Sequence, residues 1–438
     1  MAQLELFLDT RSLFEKLCSV EYLRQGFSAV KANKGAPGID RISIKEFESR
    51  LEEELAHLRK DLEGWSYEPK PVRRVEIPKP GSGSGVRLLG VPCIRDRVVQ
   101  ATLKLLVEPL IDPYFSLNSY GFRPGRSQRQ AVEAAQQIVC RGKEYVVDID
   151  LSKFFDRVNH DRLIARLKGF IDDRRILRII GMTLRSGVMI EGVVEPTEEG
   201  ATQGSPLSPL LSNVVLDELD KELESRGLEF CRFADDCNIF VGSKKAAERV
   251  MSSISKYIEK KLRLKINQEK SKIALSKYVK FLGITIIAGT LAISHQSLQR
   301  AMEKVKELTP RGTHLNIAQT MAVINKWYAG WSGYYEMTQY PAQLKKLEAH
   351  IRRRLRARIV DQQKSRRNLQ RKLVKRGVSR RLASVTAYSH HNRWALSHTR
   401  AVEIAYPNRW FIQKLGQRIR SDNKLPHWFG VDQYIKMT

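Results

Sequence analysis

The stretch RFADDCNIFV, residues 232–241, most constrains how this chain can fold, because it sets two adjacent aspartates into an apolar run. Apolar residues on both sides predict a buried β-hairpin with Asp235 and Asp236 at its turn. Two neighbouring carboxylates repel each other unless solvent or a cation separates them. A solvated β-turn and a metal site both meet that condition, and this segment alone favours the solvated turn.

A second apolar segment, KEYVVDIDLSKFFDRVNH, supplies a further carboxylate. Its alternation predicts a strand with Val147, Ile149 and Leu151 on one face and Asp148 and Asp150 on the other. Nucleotidyl transfer needs two divalent ions, and Mg²⁺ prefers carboxylate oxygens. From these residues alone Asp150 is either a metal ligand or a capping residue at a strand end.

Charge sets the class of partner. The 438 residues include 76 Lys and Arg against 48 Asp and Glu, a formal net charge of +28 with a pI near 9.9. The excess positive charges repel one another in a compact protein, and a chain with such a charge usually binds a polyanion. We therefore expect a nucleic acid partner bound with salt-sensitive affinity, with an anionic membrane surface as the weaker alternative.

The compartment is predicted from the first residues and the cysteines. The start MAQLELFLDTRSLFEKL lacks the pattern of a secretory signal, and the apolar run at 281–293 is too short to span a bilayer. The five cysteines contain no CxxC pair, so neither a disulfide framework nor a zinc knuckle is indicated. We expect a cytoplasmic protein that does not bind membranes.

Periodicity divides the chain into differently folded regions. Helices are predicted up to about residue 62, including a capping box formed by Ser43 and Glu46. A β-hairpin is predicted from Tyr67, and alternating strands and helices then indicate an α+β core. Beyond about 297 the chain is predicted to be helical and basic, with 14 Lys or Arg against one acid between His350 and Leu382. Such a run is usually a solvated face, and its one-sided sign favours nucleic acid phosphates.

Aromatic residues follow in the segment NKWYAGWSGYYEMTQYP. Aromatic rings beside basic residues can stack on bases. Their helical spacing favours packing in the core of a three-helix bundle instead. The residues are Trp327, Tyr328, Trp331, Tyr334 and Tyr335.

Several ordered motifs resemble one family. FADD resembles the Y/F-x-D-D motif of reverse transcriptases, DIDLSKFFD their preceding metal motif, and QGSPLSPLLSN the template and nucleotide segment between them. The blocks RRVEIPKPGSGSGVRLLGVP, SYGFRPGRS, LRLKINQEKSKI and KFLGI are similar to further blocks in the same order. NKGAPGID and INKWYAGWSGYYEM narrow the resemblance to bacterial group II intron-encoded reverse transcriptase–maturases, over about residues 15 to 415.

The resemblance implies an α+β right-hand polymerase with fingers and a ferredoxin-like palm, an α-helical thumb and a basic helical C-terminal region. All five cysteines precede residue 238, so the zinc-supported endonuclease domain of some relatives is expected to be absent. The implied division is an N-terminal helical extension (1–65), fingers and palm (66–296), thumb or maturase domain X (297–375) and a basic DNA-binding region (376–438).

The resemblance also implies the site residues, with Asp150, Asp235 and Asp236 as the catalytic carboxylates. The metal site is expected to include these three and Leu151. The expected nucleotide-binding residues are Lys79 and Arg87 at the triphosphate, Leu151, Phe155 as a gate against the ribose 2′-OH, and Gln203 along the pocket.

Some of these residues have simpler explanations. Phe155 also fits a core position, and Lys79 and Arg87 also fit solvated hairpin positions. Two departures from the family pattern affect the pocket: the hairpin turn is longer than usual, and Thr202 stands where proline is common. Phe281, Leu282 and Gly283 are expected to form the turn that grips the primer.

The implied function is RNA-directed DNA polymerisation with two Mg²⁺ ions, for which Mn²⁺ is a substitute. The implied partners are an intron RNA template, a DNA primer or target and dNTPs, and a homodimer stays open. The same protein would assist splicing of its group II intron and its mobility by target-primed reverse transcription. The alternatives are an RNA-binding splicing cofactor that does not polymerise, and a domesticated reverse transcriptase in DNA repair or phage defence.

Overall fold

The computed structural model describes residues 11–78, 86–152, 154–190, 193–195, 200, 204–389 and 391–420. The chain divides into two compact units, each with its own hydrophobic core. The first unit comprises the residues up to Ile138 together with Gly142–Ala274. The second unit comprises Val139–Arg141 and the residues from Leu275 onward.

The first unit mixes helices and strands, as the α+β prediction requires. Its helices are α1 (Leu13–Cys18), α2 (Val20–Ala32), α3 (Ile44–Ser49), α4 (Leu51–Glu63), α5 (Ile94–Ile111), α6 (Gln128–Cys140), α7 (His160–Leu167), α8 (Arg174–Leu184), α9 (Ser208–Ser225) and α10 (Lys244–Tyr257). Its strands are β1 (Val72–Pro78), β2 (Val86–Val91), β3 (Tyr145–Ile149), β4 (Val188–Ile190), β5 (Val193–Glu195), β6 (Glu229–Phe233), β7 (Asp236–Val241) and β8 (Lys272–Leu275). The last residues of α6 and β8 belong to the second unit.

Two local sequence signals correctly predicted a helix start and a β-hairpin in the first unit. The predicted capping box is confirmed: Ser43 Oγ accepts the Glu46 N–H while the Glu46 carboxylate accepts the Ser43 N–H. The predicted hairpin is also confirmed, because β1 and β2 pair antiparallel. β1 and β2 lie in a sheet of order β2-β1-β4-β5.

The central sheet of the first unit has the order β6-β7-β3-β8. β3 runs antiparallel to β7, and β7 is the second strand of the predicted hairpin with β6. Val147 and Ile149 are fully buried in the first core, whereas Asp148 and Asp150 on the opposite face are half-buried. The predicted alternation of β3 is therefore confirmed. Helices α9 and α10 pack on this sheet.

The second unit is mostly helical, as predicted for the chain beyond about 297. It begins with the antiparallel hairpin of β9 (Ile284–Ile287) and β10 (Thr290–Ile293). Its helices are α11 (His295–Leu308), α12 (Ile317–Tyr334), α13 (Pro341–Asp361), α14 (Arg366–Lys375), α15 (Arg380–Tyr388), α16 (Arg393–Leu396), α17 (Arg400–Ala405) and α18 (Asn408–Gln413).

The aromatic cluster of α12 packs as core. Tyr328 is buried, and its hydroxyl donates to Glu348 Oε1 at 2.7 Å. Trp327, Trp331 and Tyr335 are half-buried and pack against the second core. Core packing, the favoured interpretation of this segment, is confirmed for these rings.

The basic run divides between surface and interior. Residues on α14, such as Arg367, Arg371 and Lys375, are exposed, as expected for a solvated face. Arg356 and Arg358 on α13 are buried, so the expectation of a solvated face is wrong for them. Their guanidinium groups donate to groups of neighbouring loops and helices, which lets the chain bury them.

Over the described ranges, none of the helices combines the length and the apolar composition that a membrane span needs. All five cysteines are free thiols.

Candidate active site

The hairpin of β6 and β7 presents the paired aspartates. Phe233 is opposite Asp236 in the ladder, so Ala234 and Asp235 form a tight two-residue turn. Ala234 has a φ of +58°, in the left-handed region that a residue with a Cβ adopts only under constraint. Asp235 is exposed at the tip, and Asp236 is half-buried at the start of β7. The predicted hairpin turn is confirmed.

β3 brings the third carboxylate to the same end of the sheet. Ile149 pairs with Cys237, so continuation of the antiparallel register sets Asp150 beside the start of β7. The backbone of Asp150 is fixed on its other side: its N–H donates to Ser271 Oγ at 3.0 Å and its carbonyl accepts the Asn267 N–H at 2.9 Å. A residue 85 positions from Asp235 is thereby held at the turn end of the hairpin.

The donor set at this end of the sheet suits a hard divalent cation. Asp150 and Asp236 are half-buried and Asp235 is exposed, so their oxygens can be reached from solvent. In the part of the chain that the structure describes, no three His, Cys, Asp or Glu side chains are grouped closely enough to hold a metal by themselves. Mg²⁺ usually takes only one or two protein carboxylates and completes its shell with phosphate oxygens and water. These residues therefore suit a divalent cation whose remaining ligands come from outside the protein.

A buried arginine stands directly behind the turn. Arg232 and Asp220 form an ion pair whose side chains are both 0% exposed, at 2.6 Å. Burial disfavours the charged guanidinium, but the charge of Asp220 and the hydrogen bonds to it outweigh burial, so the pKa of Arg232 lies above its ordinary value. Sequence analysis missed this pair. Arg232 shares a strand face with the buried Phe230, and an arginine on an apolar face is the signal that could have found it.

The predicted nucleotide-binding residues are described unequally. Leu151 is buried and forms an isolated bridge with Ile266. Phe155 is half-buried and meets Phe154 edge to face at 5.3 Å. Phe155 thus packs against the core, as its simpler explanation expected, while its gating role stays a prediction.

For the other three predicted nucleotide-binding residues, the structure describes at most the backbone. Arg87 is in β2 opposite Ile77, and only its backbone is described. Lys79 and Gln203 are outside the described residues. Their roles at the triphosphate and along the pocket stay predictions.

The predicted primer-gripping turn is described within the second unit. Phe281 is buried and bridges to Ile284, while Leu282 and Gly283 have φ values of +50° and +82°. The Tyr334 hydroxyl donates to the Leu282 carbonyl. A Cβ at Gly283 would lie 2.6 Å from the Tyr335 hydroxyl oxygen, so this position has both a backbone and a steric reason for glycine.

The chain matches two protein families. Residues 77–286 match the family described as reverse transcriptase (RNA-dependent DNA polymerase), and residues 298–377 match the group II intron, maturase-specific domain. Both ranges agree with the order of the motifs in the sequence.

Curated relatives include bacterial and organellar proteins. Protein YkfC of Escherichia coli (strain K12) is 32% identical over 306 residues, which cover 61% of this chain and 80% of that protein. Group II intron-encoded protein LtrA of Lactococcus lactis subsp. cremoris is 33% identical over 181 residues, covering 41% of this chain and 30% of LtrA. The putative COX1/OXI3 intron 1 protein of Saccharomyces cerevisiae is 28% identical over 269 residues, covering 60% of this chain and 30% of its own length. The similarity spans most of YkfC but less than a third of the two intron-encoded relatives.

Proposed function

The chain belongs to the family of group II intron-encoded reverse transcriptases and maturases and is an RNA-directed DNA polymerase, and we propose that Asp150, Asp235 and Asp236 form its polymerisation centre. The observation that carries this proposal is the pairing of β3 with β7, which sets Asp150 at the turn that presents the other two. In this arrangement a bound divalent cation would make the like charges of the turn tolerable.

The proposed reaction joins the 3′-oxygen of a DNA primer to the α-phosphorus of a dNTP and releases pyrophosphate. Two Mg²⁺ ions, or Mn²⁺ in their place, would promote loss of the hydroxyl proton and neutralise charge on the phosphates. Asp150 and Asp235 would hold the ions, Asp236 would support the pair, and Leu151 would adjoin them in the metal site. The half-buried positions of Asp150 and Asp236 favour this role, since partial exclusion of water strengthens their attraction to a cation.

We assign the incoming nucleotide to five residues. Lys79 and Arg87 bind the triphosphate, Leu151 and Gln203 line the pocket, and Phe155 blocks a ribose 2′-OH. The half-buried ring of Phe155, braced edge to face by Phe154, supports a steric gate because a fixed ring excludes an added hydroxyl better than a mobile one.

The protein binds an RNA template, as its family requires, and the finer partners belong to the proposal. We propose that the template includes a group II intron RNA whose splicing the maturase-specific domain assists, and that the primer is a DNA strand at a target site. The exposed basic residues of α14 support phosphate binding in this region. The free thiols agree with action in the reducing cytoplasm, and a homodimer is compatible with these partners.

Within that proposal the chain keeps its predicted division. Residues 1–65 form the N-terminal extension and 66–296 the fingers and palm. Residues 297–375 form the thumb or domain X, and 376–438 form a DNA-binding region.

Primer extension on an RNA template tests the polymerase claim. We expect the parent protein to extend a DNA primer with dNTPs in Mg²⁺. We expect Asp235→Ala to lose at least about a thousandfold in rate, because one ligand of the ions that stabilise the transition state is gone. RNA affinity should be unchanged in the variant. A parent protein that binds RNA and promotes splicing but extends no primer would instead be a splicing cofactor.

A further inference from the structure

The backbone of the catalytic turn is tied to the buried guanidinium behind it. Arg232 Nη1 donates to the carbonyl oxygen of Ala234 at 2.9 Å. Ala234 is the turn residue with positive φ and is itself 6% exposed. Since a residue with a Cβ disfavours this conformation, the hydrogen bond from Arg232 helps to hold it.

The guanidinium is held in turn by three other residues of the first unit, two on α9 and one in the loop before α6. Its remaining donors go to Asp220 (2.7 Å from Nε, 2.6 Å from Nη2), Asn213 Oδ1 (3.0 Å) and Ser119 Oγ (2.8 Å). All five N–H donors of Arg232 are thus engaged. Because the group is planar and rigid, it cannot shift toward one partner without losing another.

The loop that carries Ser119 makes a second contact with the turn, and this contact does not involve the Arg232 guanidinium. A Cβ built on Gly121 would lie 2.3 Å from the Ala234 nitrogen and 2.9 Å from the Phe233 carbonyl carbon. The Gly121 carbonyl also accepts Asn213 Nδ2 at 2.8 Å. The loop that carries Ser119 therefore packs directly on the backbone of the turn, where only glycine fits.

We infer that Arg232 is a positioning residue for polymerisation: its hydrogen bond to Ala234, braced by Asp220, Asn213 and Ser119, fixes the turn so that Asp235 and Asp236 meet Asp150. This inference rests on the proposed polymerisation centre. Arg232 is fully buried, so any effect on the carboxylates has to pass through the turn. Its role predicts an effect on metal dependence, which a purely structural ion pair would not have.

Arg232→Lys is the first test. Lysine keeps the charge but has three donors on a flexible stem in place of a planar set of five. In primer extension we expect the Mg²⁺ concentration for half-maximal rate to rise about tenfold, and the rate at saturating Mg²⁺ to fall by roughly tenfold to a hundredfold. The dissociation constant for an RNA–DNA template–primer should stay within about twofold, since a buried residue touches no phosphate.

Arg166→Lys is the matched control. Arg166 pairs with Asp217 and Glu218 on α9, the helix that also carries Asp220. A variant here perturbs an ion pair on the same helix without removing a bond to the turn. We expect its Mg²⁺ requirement to equal that of the parent.

Two further variants separate positioning from folding. The pair Arg232→Met with Asp220→Leu removes both charges together, so no buried charge is left unpaired. The remaining cost is that of the neutral acceptors left without a donor, so we expect the variant to fold. We expect its Mg²⁺ requirement to stay raised about tenfold, because the bond to Ala234 is still missing. Gly121→Ala keeps the ion pair between Arg232 and Asp220, but its Cβ would clash with the backbone of the turn. We expect the same rise of about tenfold in its Mg²⁺ requirement.

The outcomes are distinct. No primer extension by the parent protein would remove the proposed function and this inference with it. A parent that polymerises, with folded Arg232→Lys and Gly121→Ala variants that share its rate and Mg²⁺ requirement, would overturn the inference alone. If the Arg232 variants fail to fold, Gly121→Ala decides: a raised Mg²⁺ requirement supports positioning by this contact network, and an unchanged one refutes it.

Discussion

Arg232 in the first unit and two buried arginines of the second unit are held in opposite ways. In the first unit Arg232 faces the carboxylate of Asp220, and its charge is compensated within the core. In the second unit Arg356 donates to the Tyr406 carbonyl and to Asn408 Oδ1, both at 2.9 Å, and Arg358 donates to Thr320 and Leu315. Burial lowers the pKa of Arg356 and of Arg358, whereas the pKa of Arg232 is raised.

The two kinds of buried arginine suit different tasks: one fixes the position of a backbone segment, and the other adds positive charge that attracts anions. A compensated arginine adds no net charge and fixes geometry, which suits a turn that must present two aspartates. Arginines held by neutral acceptors leave their positive charge in place, and they add to the exposed basic residues of α14. Arg232 is therefore suited to fixing a turn, whereas Arg356 and Arg358 contribute to the positive potential of the second unit.

The sharpest way to break this comparison is to remove one arginine from each unit. Arg232→Met leaves Asp220 charged and unpaired in the core, and we expect a loss of about 3–5 kcal/mol in local unfolding free energy. Arg356→Met leaves only neutral acceptors without donors, and we expect a loss of about 1–3 kcal/mol in local unfolding free energy. Amide hydrogen exchange in β7 and in α13 measures each unit separately. Equal losses would contradict the distinction.

A second buried carboxylate in the first unit extends the comparison to pH. Asp96 is 1% exposed and accepts the Tyr67 hydroxyl at 3.0 Å and the Lys70 N–H at 3.1 Å. Burial raises the pKa of Asp96 from 3.8 to about 6 despite these bonds. The folded state then holds the proton more tightly than the unfolded state. Stability should therefore fall as pH rises from about 4 to about 6, by up to about 3 kcal/mol from this group.

Asp96→Asn isolates that contribution. The amide cannot ionise, so we expect the difference in unfolding free energy between parent and variant to change with pH over this window and to be constant above about pH 7. Denaturant unfolding at several pH values gives the comparison. A difference independent of pH from 4 to 7 would show that Asp96 titrates normally.

The exposed basic face of α14 offers a test of the second unit. Arg367, Arg371 and Lys375 are spaced four residues apart and so share one side of the helix. Changing all three to Gln should reduce the slope of log affinity for RNA against log salt by about two units. As the control, Arg59→Gln with Arg226→Gln removes charges that already pair with Glu63 and Glu222. Equal slopes for both variants would remove α14 from the RNA contact.

The predicted primer-gripping turn, Phe281 to Gly283, should show the smallest effect. Gly283→Ala forces a Cβ toward the Tyr335 hydroxyl and strains the positive φ, so we expect a loss of about 1–2 kcal/mol in the second unit. Adding Tyr335→Phe removes the clashing oxygen and should restore part of that loss. A double-mutant cycle on unfolding free energy measures the coupling. Additive losses would mean that the two residues do not meet.

Local pattern was enough to predict much of the fold. Alternation placed Asp148 and Asp150 on the half-buried face of β3, and apolar flanks placed Asp235 and Asp236 at a hairpin turn. These features depend on neighbours within a few residues, which the sequence displays directly.

Contacts between residues far apart in the chain could not be predicted from local sequence pattern. The partners of Arg232 lie 12, 19 and 113 residues away, and no periodicity relates such positions. The burial of Arg356 likewise depends on an acceptor 50 residues along the chain. An excess of positive charge predicts a basic surface, but it does not tell which arginines fold inward.

The most direct test of the central claim compares two aspartates on the same face of β3. Asp150 stands at the turn end of the sheet, and Asp148 is opposite Asn238, two residues farther along the strand. In Mg²⁺-dependent primer extension on RNA, we predict that Asp150→Asn loses at least about a thousandfold in rate while Asp148→Asn stays within about tenfold of the parent. Equal activity of Asp150→Asn and the parent protein would contradict the proposed polymerisation centre.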